Sequence, residues 1–155
     1  MTDNTNPSFD VTLPWQGFHH VAMYTADLDA TIRFYHDVLG MQVDEVYEAR
    51  GGKTRHCFIK PGATRSLGLH VWEIPGAQLP PAWESLHWQQ SGTIVAGSLS
   101  HIAFALSNEE AALALRERLC EHNVQMNEIG YIGDMRNFVF IDNNGTMIET
   151  IWPKA

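Results

Sequence analysis

Apolar and polar positions change period several times along this chain, and each change marks an element. His19 to Thr25 (HHVAMYT) alternates as a half-buried strand does, with His20, Ala22 and Tyr24 on one face and Val21 and Met23 on the other. Asp27 stands where an N-cap belongs, because its carboxylate can accept the unpaired amides of the next turn. Ile32, Tyr35, Val38 and Leu39 then follow at helical spacing, and Gly40 suits the left-handed residue that ends a helix. The strand period returns at Gln42 to Ala49, Arg55 to Lys60 and Ser66 to Ile74, with turns at Arg50–Lys53 and Pro61–Gly62. The first half therefore reads as β-α-β-β-β.

The second half repeats it. Ser100 to Leu106 (SHIAFAL) echoes His19 to Thr25. Ser107 to Glu110 has the spacing of a capping box, Ala112, Leu115 and Leu119 form a helical stripe, and Asn123 is the stop. Strands are expected at Val124 to Ile129, Asn137 to Ile141 and Thr146 to Trp152, with a turn at Asp142–Gly145. The ends of the halves also correspond, LHVWEIP (69–75) against IETIWP (148–153). Such internal similarity is the signature of one supersecondary unit used twice. The expected organisation is an N-terminal arm (1–16), a first module (17–75), a linker (76–97) and a second module (98–155). A short helix is expected in the linker over Ala82–Gln90, with Trp83 and Trp88 packing over a sheet edge.

Composition narrows the class. With 45% hydrophobic and 18% charged residues the chain is an ordinary globular protein, not a disordered one. A formal charge of −8 argues against nucleic acid, whose phosphates require clustered Lys and Arg. Cys57 and Cys120 have neither metal nor redox spacing, which fits a reducing cytoplasm. The first ten residues lack the basic region and apolar run of a signal peptide, and no stretch approaches the ~20 apolar residues of a membrane span. A cytoplasmic protein with no membrane partner is expected.

The candidate chemistry lies in four polar residues set among apolar strand positions. Each module contributes one from its first strand and one from its last: His20 and His70, then His101 and Glu149. A buried imidazole or carboxylate without partners costs several kcal/mol, so four at equivalent positions suggest a shared partner. A divalent metal would be that partner, and this donor set suits Fe2+, Mn2+, Co2+, Ni2+ or Zn2+. His70 stands either as a ligand or as an acid–base group beside the metal. Tyr24 and Trp72 share the faces of His20 and His70 and are candidate substrate contacts, as are Tyr131 and Arg136 around the Ile132–Met135 turn. His19 is expected on the opposite face from His20, His36 and His122 at the solvent, and His56 and His87 carry no motif.

The segments HVAMYTADLDATIRFYHDVLGM (20–41), HIAFAL (101–106) and FVFIDNNGTMIE (138–149) resemble the vicinal oxygen chelate superfamily over roughly residues 17–152. That group includes glyoxalase I, methylmalonyl-CoA epimerase, extradiol dioxygenases, and bleomycin or fosfomycin resistance proteins. The resemblance implies an α+β fold in which paired βαβββ modules form an open, cup-shaped mixed sheet around one metal. It implies His20, His70, His101 and Glu149 as metal positions, with His70 and Glu149 catalytic, and a homodimer. The metal would act as a Lewis acid on a small oxygen-bearing substrate. Bacterial-type glyoxalase I carries a carboxylate at the place of His70, whereas extradiol dioxygenases place an acid–base histidine there. The latter also carry His and Tyr where Ile132 and Val139 stand. The pattern favours dioxygenase-like chemistry with Fe2+; the alternatives are a glyoxalase- or epimerase-like lyase or isomerase, and a drug-binding or thiol-transfer resistance protein.

Overall fold

The computed structural model describes residues 18–63, 68–79 and 99–154. The first module comprises β1 (Val21–Thr25), α1 (Leu28–Arg33), β2 (Gln42–Val43), β3 (Tyr47–Ala49), β4 (Thr54–Lys60) and β5 (Leu69–Glu73). The second comprises β6 (Ile102–Ala105), α2 (Glu109–Glu121), β7 (Gly130–Ile132), β8 (Met135–Ile141) and β9 (Met147–Pro153). The sheet orders are β1-β5-β4-β2, with β3 also on β4, and β6-β9-β8-β7. In both modules the first and last strands pair in parallel and the remaining pairs are antiparallel. The repeat in the sequence is thus a repeat of topology, and the fold is α+β.

Local signals explain most boundaries. Asp27 caps α1 as expected, its Oδ1 accepting from the Ala30 amide at 2.9 Å. The helix continues as one π-helical stretch over Phe34–Val38, and Gly40 closes it at φ 72°. In α2 the cap is Asn108, not Ser107; the Asn108 Oδ1 accepts from Ala111 at 2.9 Å, and Asn caps at least as well as Ser. Asn123 stops α2 at φ 55°.

Three strand expectations change. Gln42 to Ala49 is broken between β2 and β3, where Asp44 turns its carboxylate to Lys60 at 2.9 Å. Val124 to Ile129 makes only a bridge between Met126 and Phe140. There the Asn127 side chain accepts from the Val139 amide at 2.7 Å, replacing a ladder carbonyl. The Ile132–Met135 turn is the tip of a β7–β8 hairpin, with Gly133 at φ 59°. The expected arm (1–16), the linker helix, His87, Trp83 and Trp88 lie outside the described residues.

Two apolar clusters merge at the seam between modules. Leu28, Tyr35, Cys57, Ile59, Leu69 and Val71 form one, and Val38, Leu119, Phe138, Phe140, Ile148 and Trp152 lie in the other. Phe34, Leu39, Ile102 and Phe104 pack against both. A polar network locks the seam: Tyr35 Oη donates to Asp142 at 2.8 Å and Thr25 Oγ1 to Asn144 at 2.7 Å. The Asn143 and Asn144 amides donate to Thr31 Oγ1 at 2.9 and 3.2 Å. Apart from Asn143 Oδ1, these buried side-chain groups are paired, so their burial costs little, and their directionality fixes how one module sits on the other.

Candidate metal centre

Strand alternation decides where two of the four candidate ligands, His70 and Glu149, point. His70 lies between Leu69 and Val71, which face the shared core, so its side chain leaves the other face of β5. Glu149 follows core-facing Ile148 and likewise leaves the far face of β9. The sheets therefore carry their polar pairs on the faces turned away from the common core. They come together as two groups. In the first module the His20 and His70 ring centroids are 5.2 Å apart. In the second, His101 Nε2 is 3.3 Å from Glu149 Oε2. Among the described residues no three His, Cys, Asp or Glu converge in a way that could hold a metal ion.

The first face is paved with rings. Across the β4–β5 ladder Phe58 neighbours His70 and His56 neighbours Trp72. Phe58 stacks on His70 at 4.1 Å, His56 stacks on Trp72 at 4.2 Å, and Tyr47 stacks on His56 at 5.5 Å. His70 Nε2 is 3.0 Å from His56 Nδ1, and the Trp72 indole N–H donates to His70 Nδ1 at 3.3 Å. Loss of solvent, then the neighbouring His56 and His20, hold the His70 pKa below the ordinary imidazole value. Tyr24 lies on this face, 72% exposed and directly beside Trp72 in register.

The second site is more enclosed. Glu149 is 5% exposed, and its Oε1 accepts from Asn137 Nδ2 at 2.7 Å. Asn137 is itself 5% exposed, so it presents Glu149 in one orientation with Oε2 turned to His101. That is how outer groups orient metal ligands.

Sequence reasoning missed His56 and Asn137. The signal for His56 was available: in RHCFIK, Cys57 and Ile59 face the core, so His56 and Phe58 must share the opposite face with His70. His19 is a correction. Both it and His20 precede β1, where alternation does not apply, and their Nδ1 atoms lie 2.8 Å apart. His36 and His122 are exposed as expected. Arg136 lies on the α2 side of β8, ion-paired with Glu109, and is not brought to Glu149. Its guanidinium sits 5.1 Å over the exposed Tyr131 ring. Cys57 is core-facing and its thiol is pushed up to about 11 by burial, so it is no nucleophile. A cavity of about 260 Å³ opens at the module seam instead, among Leu39, Lys60, Phe104, Leu115 and Phe140, away from both polar pairs.

The sequence profile of the Glyoxalase/Bleomycin resistance protein/Dioxygenase superfamily matches residues 17–150. The chain belongs to this superfamily. No curated protein matches it in sequence. Solved structures share the superfamily's fold at low identity. A trypanothione-dependent glyoxalase I from Leishmania major is 21% identical with a TM-score of 0.61, covering 88% of this chain and 86% of that one. TnmS3, an antibiotic binding protein from Streptomyces sp. CB03234, is 14% identical with a TM-score of 0.63, covering 92% and 99%. FosX, a fosfomycin resistance protein from Listeria monocytogenes, is 17% identical with a TM-score of 0.59, covering 91% and 96%. The superfamily therefore spans catalytic and binding proteins around one scaffold. No described helix is long and apolar enough to cross a membrane.

Proposed function

We propose that this superfamily member is a divalent-metal enzyme acting on a small molecule with adjacent oxygens, its metal centre completed between two copies of the chain. One copy supplies His20, and the other supplies His101 and Glu149. The observation that carries this is the division of the polar residues into two groups on faces turned away from a shared core. Within one chain that core separates them; a second copy brings the complementary face.

The donor set fits such an ion. Two imidazoles and one carboxylate match Fe2+, Mn2+, Co2+, Ni2+ or Zn2+, and Asn137 already holds one Glu149 oxygen. A bound ion of this kind polarises substrate oxygens as a Lewis acid. The remaining work belongs to the chain. Asn137 and Glu149 hold the second half of the site rigid. Phe58, Trp72 and Tyr24 offer aromatic surface to a flat substrate, and His70 with His56 holds a proton at Nε2 beside it. A planar, oxygen-bearing ring is the substrate this surface suits, which favours dioxygenase-like chemistry with Fe2+ in a cytoplasmic homodimer. The same ring-paved face supports a second reading, stoichiometric binding of a planar molecule without turnover.

Mixing experiments test the shared centre. His20→Ala and His101→Ala homodimers should each lose metal. A heterodimer of the two regains one complete site, so mixing should restore metal to the heterodimer fraction. Two folded variants that recover nothing on mixing would place the site within one chain. A wild-type chain that takes up none of these ions would remove the metal reading. Oxygen uptake on a catechol panel with Fe2+-loaded protein then separates ring cleavage from isomerisation, lysis or simple binding.

A further inference from the structure

We infer that the cavity at the module seam is a second binding site, which takes an uncharged, predominantly apolar small molecule built on one ring. It shares no residue with either polar pair, so it stands independently of the proposed metal centre.

Both modules build its wall. Leu39 and Met41 come from the turn between α1 and β2, Phe104 and Leu106 from β6 and its end, Leu115 from α2, and Phe140 from β8. Phe140 is 1% exposed and belongs to the second core cluster, so it forms the inner wall. The other five are half-buried, and each also packs on one or both core clusters. The apolar surface they leave uncovered is the surface a ligand would bury, and that burial is the driving force for binding.

The polar groups of the lining set the ligand's charge. Lys60 is its one ionisable residue, and the ammonium is already held by Asp44 at 2.7 Å. The Thr150 hydroxyl donates to the Phe138 carbonyl at 3.4 Å. Neither of the two buried side-chain atoms left unpaired among the described residues belongs to the lining. An anion would have to part Lys60 from Asp44 and shed its own water, with no second cation in the lining to offset the loss. Size follows from volume. A dry cavity of about 150 Å³ lined by Leu, Ile and Phe takes up benzene. The seam cavity, at about 260 Å³, has room for a ring and a substituent.

The position gives the site a consequence. Leu39 and Phe104 are among the residues that join the two core clusters, so an occupant touches the contacts that hold the modules together. It binds only when the modules are docked, and it therefore stabilises the seam by mass action.

Toluene is the probe, benzoate its charged counterpart, and a chelator keeps metal out of the result. In the full-length chain labelled at methionine methyls, toluene should shift Met41, assigned by Met41→Leu. Met147, which shares a face of β9 with Glu149, should stay in place. Benzoate should bind at least ~10-fold more weakly. Saturating toluene should raise the urea midpoint. Leu115→Phe fills the cavity and should lower toluene affinity ~10-fold or more. Leu115→Ala enlarges it and should increase the midpoint gain from toluene, which keeps the test decisive if Leu115→Phe fails to fold. No response of Met41 to toluene, or an equal response to benzoate, overturns the inference. A Met41 signal that moves with protein concentration and not with toluene puts a second copy of the chain there, and overturns it too.

Discussion

Replacing Asn137 by Ala tests whether the second half of the centre is pre-organised. The Asn137 amide donates to Glu149 Oε1 at 2.7 Å, and both residues are 5% exposed, so water can replace little of that bond. A hydrogen bond to a charged acceptor contributes about 1.5–3 kcal/mol, and orphaning a buried carboxylate oxygen lies at the upper end. Ala also leaves a void, so the single substitution mixes two costs. A double-mutant cycle with Glu149→Met isolates the pair, since Met offers the amide no oxygen acceptor and the void is common to both arms. Urea unfolding, followed by the fluorescence of the buried Trp152, should give a coupling of about 1.5–3 kcal/mol without added metal. Metal affinity should fall about 10–100-fold in Asn137→Ala. A coupling below about 0.5 kcal/mol would refute the reasoning, because the amide would then be replaceable by solvent.

Two further outcomes follow from the first module. Gly68 sits at φ 70° with the Ile59 carbonyl where a Cβ would stand, so Gly68→Ala should destabilise by about 2 kcal/mol or more and shift the His70 resonances two residues on; an unchanged urea midpoint would contradict it. Glu73 accepts from Arg55 Nε and Nη2 at 2.8 and 2.7 Å and from the Leu28 amide at 3.0 Å, and the Arg55 bonds above all hold its pKa below the ordinary 4.5. The unfolded chain then binds more protons in acid, so this contribution is full above pH 4.5 and is lost as pH falls through the folded value. Asp142, raised by burial, acts in the opposite sense, and Arg55 also binds Asp29, so Glu73→Gln is the variant that isolates Glu73. Unfolding midpoints of that variant should fall less steeply in acid than those of wild type; parallel curves would exclude the Glu73 assignment.

Legibility was greatest where a single residue type can do one job. Asp27 as cap, Gly40 and Asn123 as left-handed stops, and the alternation in β1, β5 and β9 all rest on local chemistry. The failures share a cause. Ser107 lost the cap to its neighbour Asn108, and Asn127 turned an expected strand into a bridge by bonding with its own side chain. In both, a polar side chain competed with the backbone within one or two residues, where patterns of apolar spacing carry no information. His56 was readable from alternation but carries no motif, so only its partner across the ladder gives it meaning.

The sequence by itself determined the duplicated module, the strand positions of His70 and Glu149, and the face each would leave, because alternation is a property of the backbone. It could not determine which faces meet. That was decided by Phe34, Leu39, Ile102 and Phe104, which join two apolar clusters into one core, and by the seam bonds from Tyr35 and Thr25. Burying those helix-bearing faces against each other turns the polar faces outward. Sequence periodicity names the candidate ligands; the packing of one core, which depends on residues far apart in the chain, decides that they stand in two groups.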